Sequence, residues 1–544
     1  ESATVTCTYV NTRASGTINV AKTVVPNDTS TNWNFGGNGP TTFTGSTVGS
    51  GTFQRTVATG GPYTIVESAG AGTVLANYDT TWSCSATNPV ATASGTGLTA
   101  TIPSVSSAQI WSCTFTNTKR GSIQIEKQTL PDGDTQSFSF TGAIAGSLTD
   151  GQSSTVLSVS PGAYAVVETV QSGWDLTNIN CTDPTTNSSG NVGTRTAAFN
   201  VAPGEAVKCV FTNTKYGSIV INKTALGGDA SFDFESTGGL NPASFVVATT
   251  GGSGSRVYNN LIPGPYSVTE LAEDGWDLTG LTCSAGGSAT LATGVASIDL
   301  QPGETVTCTY TNTKRGSITV VKDAQPDAAQ DFTFSGTLGD FSLDDDADAT
   351  LPASRLFSAL LPGSFTIAEG ANAAWDLTNI VCLGDTGSGS SQNLAGRSVT
   401  IGLDPGENVT CTFTNSRLPT LTLLKSVVND NGGTLTAASF PAFIGAQPAV
   451  WAIPQRLAPG AYTASETPQA GYLPGPWGGD CAANGSVSLA YGDAKTCTIK
   501  LRKGIKWSDG SPFTTDDMMF YFEDFAFNKD LNPTLATQWQ PTLA

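Results

Sequence analysis

At 544 residues the chain is too long for a single hydrophobic core. Charged residues make up only 13%, while Gly and Pro number 61 and 28, a mixture that suits many short strands joined by tight turns. The net charge of −19 argues against nucleic acid and anionic lipid as partners, and the lack of any His removes Ser–His and Cys–His nucleophiles together with the commonest metal ligand.

In chain order, the first element is a strand-like segment, TCTYVN at 6–11, that carries Cys7 and Asn11 but no module of its own. A repeat then begins. Its opening phrase reads VNTRASGTINVAK at 10–22, TNTKRGSIQIEK at 116–127, TNTKYGSIVINK at 212–223, TNTKRGSITVVK at 311–322 and TNSRLPTLTLLK at 414–425. A second phrase lies between successive copies: GGPYTIVE, PGAYAVVE, PGPYSVTE, PGSFTIAE and PGAYTASE. The lysines that end the opening strands (Lys22, Lys127, Lys223, Lys322, Lys425) fall roughly 100 residues apart, the size of an immunoglobulin-like or prealbumin-like sandwich. The expectation is an all-β fold: a tandem array of five such β-sandwich modules at 14–119, 120–215, 216–314, 315–416 and 417–500. An orphan strand at 1–13 precedes them and a short, partly helical segment at 501–544 follows. Linkers are almost absent, which predicts a stiff array.

Each module holds two Cys at a repeated position, which reads as one disulfide per module: Cys84–Cys113, Cys181–Cys209, Cys283–Cys308, Cys382–Cys411 and Cys481–Cys497. Zinc is the rival reading, but two Cys and no His cannot supply four ligands. Disulfides imply an oxidising, extracellular compartment, where the acidity would keep the protein soluble. Cys7 is left over.

Strand residues alternate faces with period two. In the second module this places Lys127 with Ile123 and Ile125, Glu168 with Tyr164 and Val166, and Asn213 with Cys209 and Phe211. Each apolar stripe thus ends in one polar residue. The same sets are Lys22, Glu67 and Asn117; Lys223, Glu270 and Asn312; and Lys322, Glu369 and Asn415. A buried unpaired Lys costs several kcal/mol, so each must be compensated. One reading is a self-formed isopeptide bond, in which burial leaves Lys neutral and Glu protonated and the amine displaces ammonia from Asn. The others are a Lys–Glu ion pair with Asn as hydrogen-bond partner, or a lysine head that snorkels at the rim. The fifth module has Lys425 and Glu466, but Leu501 occupies the Asn position.

The G-S-I-x-x-x-K first strand, the Y-x-V-x-E strand and the final F-T-N strand resemble the SpaA/CnaB-type prealbumin-like modules of Gram-positive pilins and adhesins, over about residues 14–500. That resemblance implies stalk- or pilus-forming modules with intramolecular Lys–Asn isopeptides beside a catalytic acid. A disulfide in every module departs from it. The segment LRKGIKWSDGSPFTTDDMMFYFEDFAFNKDLNP at 501–533, with Met518, Met519 and a helix expected over 514–528, resembles part of a family 5 extracellular solute-binding protein.

The leading expectation is therefore a structural protein of an extracellular filament, pilus or surface stalk. It would be no enzyme apart from the self-catalysed bond, need no cofactor and no metal, and not insert into a membrane, since no apolar run spans a bilayer. Its partners would be copies of itself, joined head to tail by strand addition through Cys7, Asn11, Lys425 and Glu466. The duller view of these ends is a segment of a longer array. The alternative functions are an adhesin or glycan-binding array, and a stalk fused to a truncated solute-binding domain. Smaller signals are the acidic loop Asp344, Asp345, Asp346 and Asp348, read as a calcium site or a solvated turn. Sequons lie at Asn27, Asn187, Asn222, Asn408 and Asn484. Trp174, Trp276 and Trp375 are expected to pack against the disulfides.

Overall fold

The computed structural model describes residues 2–499 apart from 11, 347, 388, 428–433, 470–471 and 473. The C-terminal segment, with its expected helix, lies outside the described residues, as do Asn11 and Leu501. Two compact units are present: one holds the chain up to Ile219 with Tyr258–Pro265 and Asp299–Val306, the other holds Val220–Val257, Tyr266–Ile298 and the chain from Thr307 onward. Among the described residues no helix is long and apolar enough to cross a membrane.

The second repeat shows how the sequence builds a sandwich. The first strand, Gly121–Leu130, and the last, Ala206–Lys215, alternate buried and half-buried residues along their length, so one face of each joins the core. These two strands lie side by side and run parallel, with Lys127 opposite Phe211 and Thr129 opposite Asn213. The strand Trp174–Thr182 pairs antiparallel on the other edge of the last strand, with Cys181 opposite Cys209. A second sheet covers this one and carries Phe138–Gly142 and Gly162–Glu168, paired so that Phe140 faces Glu168. Ile123, Ile125, Phe138, Phe140, Val166, Phe199 and Phe211 fill the space between.

The first and fourth repeats reproduce this plan, again with parallel first and last strands. The fifth keeps the parallel pair Thr420–Lys425 and Ala494–Ile499, but its buried core has nine residues against seventeen in the first. One residue, Arg120, separates the last strand of the first repeat from the first strand of the second, and Tyr216 and Arg315 stand at the two following joins. The Arg315 guanidinium is held there by two hydrogen bonds to Asp277, at 2.6 and 2.7 Å.

Candidate functional site

The parallel pairing sets the geometry of each Lys–Asn pair. Because Lys127 sits opposite Phe211, the inward-facing residue two further along the last strand is Asn213, and both side chains reach the same end of the core. Lys127 Nζ donates to Asn213 Oδ1 at 3.0 Å, and Asn213 Nδ2 donates to Glu168 Oε1 at 2.7 Å. In the third repeat the chain of contacts is tighter: Lys223 Nζ to Asn312 Oδ1 is 2.5 Å, Asn312 Nδ2 to Glu270 Oε1 is 2.5 Å, and Lys223 lies 3.3 Å from Glu270 Oε2. In the first repeat Lys22 Nζ lies 3.0 Å from Glu67 Oε1. In the fourth, Lys322 Nζ donates to the carbonyls of Asp323 and Phe413 at 2.9 and 3.0 Å, with Glu369 at 3.8 Å. Asn117 and Asn415 are buried in their sets, and neither amide makes a well-aligned hydrogen bond. All twelve residues are buried, so no lysine head snorkels to water.

Burial decides the protonation chemistry. It lowers Lys22, Lys127, Lys223 and Lys322 each to about 8, against the pull of the neighbouring Glu. It raises Glu67, Glu270 and Glu369, with the lysine charge opposing the rise. The two shifts bring amine and acid toward the neutral pair that amide exchange needs. They also predict a pH response where the lysine stays free, as in an Asn312→Ala variant. Between about pH 8 and 10.5 the unfolded chain would hold the Lys223 proton and the folded chain would not, so stability rises with pH there. Glu270 acts in the opposite sense at lower pH, because the folded state binds its proton more tightly and that stability is lost as pH rises through the raised value. Hydrogen-exchange protection of the third sandwich in this variant should therefore pass through a minimum near neutral pH. A flat profile would count against the free pair.

Sequence reasoning missed two features of the site. The first is an aromatic lid. Lys22 lies over Trp33 at 4.3 Å, Lys127 over Phe138 at 4.2 Å, Lys223 over Phe232 at 4.0 Å, Lys322 over Phe332 at 4.1 Å and Lys425 over Phe440 at 4.2 Å. The signal was present as W-N-F, F-S-F, F-D-F and F-T-F in the second strands. The second is Arg195 and Arg397, which reach Glu168 and Glu369 at 2.5 and 2.6 Å.

The tryptophan expectation is corrected. Trp174 is opposite Lys215, at the far end of its strand from Cys181. Seven residues of extended chain separate the two by roughly 20 Å. Trp174 instead packs edge-on against the lysine lid Phe138 at 5.2 Å, as Trp276 does against Phe232 and Trp375 against Phe332.

Five disulfides join Cys84–Cys113, Cys181–Cys209, Cys283–Cys308, Cys382–Cys411 and Cys481–Cys497. The first four link residues directly opposite on antiparallel strands, with Cα atoms 4.0–4.1 Å apart. Cys7 is free and exposed. Lys425 and Glu466 meet at 2.7 Å. Lys425 is opposite Ile499, so the position of the missing Asn falls on Leu501, outside the described residues. In the acidic loop, Asp344, Asp346 and Asp348 bring carboxylate oxygens within 4.8 Å of one another. Asp344 is buried and accepts a hydrogen bond from Thr350. Asp345 turns the other way, accepts the Ala324 N–H at 2.8 Å and is pushed up to about 7 by burial.

A family profile described as a prealbumin-like fold domain matches residues 123–215, 219–314 and 318–417, and two further profiles of the same description match 17–119 and 417–499. The middle region of family 5 bacterial extracellular solute-binding proteins matches 490–542, overlapping the last strand of the fifth sandwich. Two curated solute-binding proteins match short stretches of the chain. The periplasmic alpha-galactoside-binding protein of Rhizobium meliloti is 46% identical over 41 residues, 8% of this chain and 6% of that protein. The oligopeptide-binding protein OppA of Lactococcus lactis is 45% identical over 60 residues, 11% of this chain and 9% of that protein. The chain thus spans less than a tenth of the length of either relative. Among solved structures, the Bacillus anthracis TIE protein is 14% identical with a TM-score of 0.26, covering 82% of this chain and 71% of that one. The pilus adhesin SpaC from Lactobacillus rhamnosus GG is 12% identical with a TM-score of 0.21, covering 56% and 44%. Matched along 289 residues by a single profile and on both flanks by two more of the same description, the chain belongs to the SpaA-type prealbumin-like fold domain family.

Proposed function

We propose that the chain is a tension-bearing structural protein of an extracellular filament or surface stalk, and that its first four sandwiches each close a Lys–Asn isopeptide bond. The observation that carries this reading is the contact of a buried first-strand lysine with a buried last-strand asparagine, and of that asparagine with a buried glutamate, in the second and third sandwiches; the first and fourth bury the same three residues at the same strand positions. In the reaction the lysine nitrogen bonds to the Asn Cγ and the Cγ–Nδ2 bond breaks. The proton lost by the lysine leaves with Nδ2 as ammonia. The buried glutamate, which accepts the Asn Nδ2–H in the second and third sandwiches, carries that proton to the departing nitrogen. Parallel first and last strands put the entry and exit of a sandwich at opposite ends, so a pull on the chain shears that pair, and a bond across it takes the load.

Intact mass of the denatured protein tests this. The expected mass is lower than the sequence mass by five disulfides and by one ammonia for each of four sandwiches. A mass accounted for by the disulfides alone would leave the sets as buried ion pairs and end the proposal.

The fifth sandwich supports a second step. Lys425 and Glu466 are in place beneath Phe440, Leu501 stands in the sequence where the other repeats have Asn, and TCTYVN at 6–11 places Cys7 and Asn11 at the spacing of a last strand. Copies would then join head to tail when the first strand of one supplies Asn11 to the fifth sandwich of the next. Covalent multimers that survive reduction are expected, and an Asn11→Ala variant should lack them.

A further inference from the structure

The four sets are of two kinds. In the first and third sandwiches the glutamate's ion-pair partner among the described residues is the lysine, at 3.0 and 3.3 Å. In the second and fourth an arginine takes the glutamate instead, at 2.5 and 2.6 Å, and the lysine lies farther off, at 4.0 and 3.8 Å. Each arginine also donates its Nε–H to the backbone carbonyl of the same glutamate, at 3.2 and 3.3 Å, which fixes the guanidinium plane on it.

The arginines occupy one defined backbone position. The N–H of Glu168 bonds to the carbonyl of Arg195 at 3.0 Å, that of Glu369 to Arg397 at 2.9 Å and that of Glu270 to Gly294 at 3.1 Å. Arg195, Arg397 and Gly294 all lie in the left-handed region, with φ of 57°, 54° and 67°. Glycine is the residue suited to that conformation, and a long side chain there is strained. Two sandwiches hold an arginine in this strained position, and in both its side chain ends on the glutamate.

We infer that Arg195 and Arg397 are positioning residues that draw their glutamates off the lysines and so delay closure of the Lys–Asn bond in the second and fourth sandwiches relative to the first and third. This rests on the isopeptide reading above and specifies its control. A guanidinium bound at the carboxyl group occupies the oxygens that would otherwise take up the lysine proton and pass it to the departing ammonia. It also draws the carboxyl group away from the lysine, as the longer Lys–Glu distances record. Burial, with a smaller contribution from the arginine charge, disfavours the ammonium form of Lys127 and Lys322, so the amine remains available and the glutamate's placement becomes limiting. The sandwiches would then lock in two waves, leaving the second and fourth extensible for a time after folding.

The test uses the full chain, translated in vitro in an oxidising mixture and quenched in denaturant at intervals from pH 5 to 9. Linked peptides from each sandwich are then counted by mass spectrometry. Bonds in the first and third sandwiches should precede those in the second and fourth by about tenfold or more in rate, the change that about 1.4 kcal/mol of added barrier produces. Arg397→Gly should bring the fourth sandwich into the fast class and move the lower limb of its pH–rate profile to higher pH, because the arginine charge lowers Glu369. Arg397→Lys should keep it slow. Gly294→Arg should slow the third sandwich alone, and its backbone is one that Arg195 and Arg397 already adopt. Equal rates in all four sandwiches, or an Arg397→Gly profile unchanged in rate and pH, would overturn this inference while leaving the isopeptides standing. Absence of linked peptides everywhere would instead remove the isopeptide reading, and the inference with it.

Discussion

Asn312→Ala is expected to lower the unfolding temperature of the third sandwich by roughly 20–30 °C. Lys223 and Asn312 are 89 residues apart in sequence, so a bond between them closes most of the module into a loop. A cross-link over a loop of that length stabilises by roughly 4–5 kcal/mol on the chain-entropy model. Domains of this size lose about 4–8 °C per kcal/mol. Asn312→Ala isolates the bond, because Lys223 and Glu270 keep each other as partners at 3.3 Å and no buried charge is stranded. Lys223→Met should remove the bond as well, but would also leave Glu270 alone in the core. Calorimetry on the full chain should show one transition moving down while the others hold. A shift of only a few degrees would mean that no bond was present to lose.

Under reductant the fifth sandwich should unfold first. Its core is the smallest of those described, and Leu501 stands in its sequence where the other repeats have Asn. Its staple among the described residues is Cys481–Cys497, with a sequence separation of 16. Losing that disulfide removes roughly 3 kcal/mol, a large share of the stability of a small domain. The other four sandwiches would lose a comparable amount but, on the proposed chemistry, retain a Lys–Asn bond. Limited proteolysis in dithiothreitol should cut within residues 417–499 before cutting elsewhere, and Cys481→Ser should show the same pattern without reductant. Early cleavage in the second or fourth sandwich would contradict this order.

Much of the site was legible because strands write their faces into sequence with period two. Lys127, Glu168 and Asn213 each end an apolar stripe, and that alone places them together once the strands share a core. The Cys pairs were legible from repeated spacing. The aromatic lids were harder: Phe138 alternates as clearly as Lys127, but which strand lies over which lysine depends on how two sheets stack, and no local pattern encodes that. The tryptophans misled for the same reason. Trp174 is near Cys181 in sequence, yet an extended strand carries near neighbours far apart. Arg195 and Arg397 lie in turns with no periodicity, and the reach of each to its glutamate depends on a left-handed backbone that a sequence of L-residues gives no cause to expect.

The order of residues along each of the first four repeats has a mechanochemical consequence. Every one of these disulfides lies between the lysine and the asparagine of its own sandwich: Cys84 and Cys113 between Lys22 and Asn117, for example. Once Lys22 and Asn117 are joined, a pull passes from the first strand through that amide to the last and on to the next sandwich. The intervening residues hang from the force path as a slack loop. Thiolate attack on a disulfide is accelerated when the S–S bond is stretched, but these four would feel no stretch. A filament of such sandwiches under tension would be no more vulnerable to reductants than one at rest.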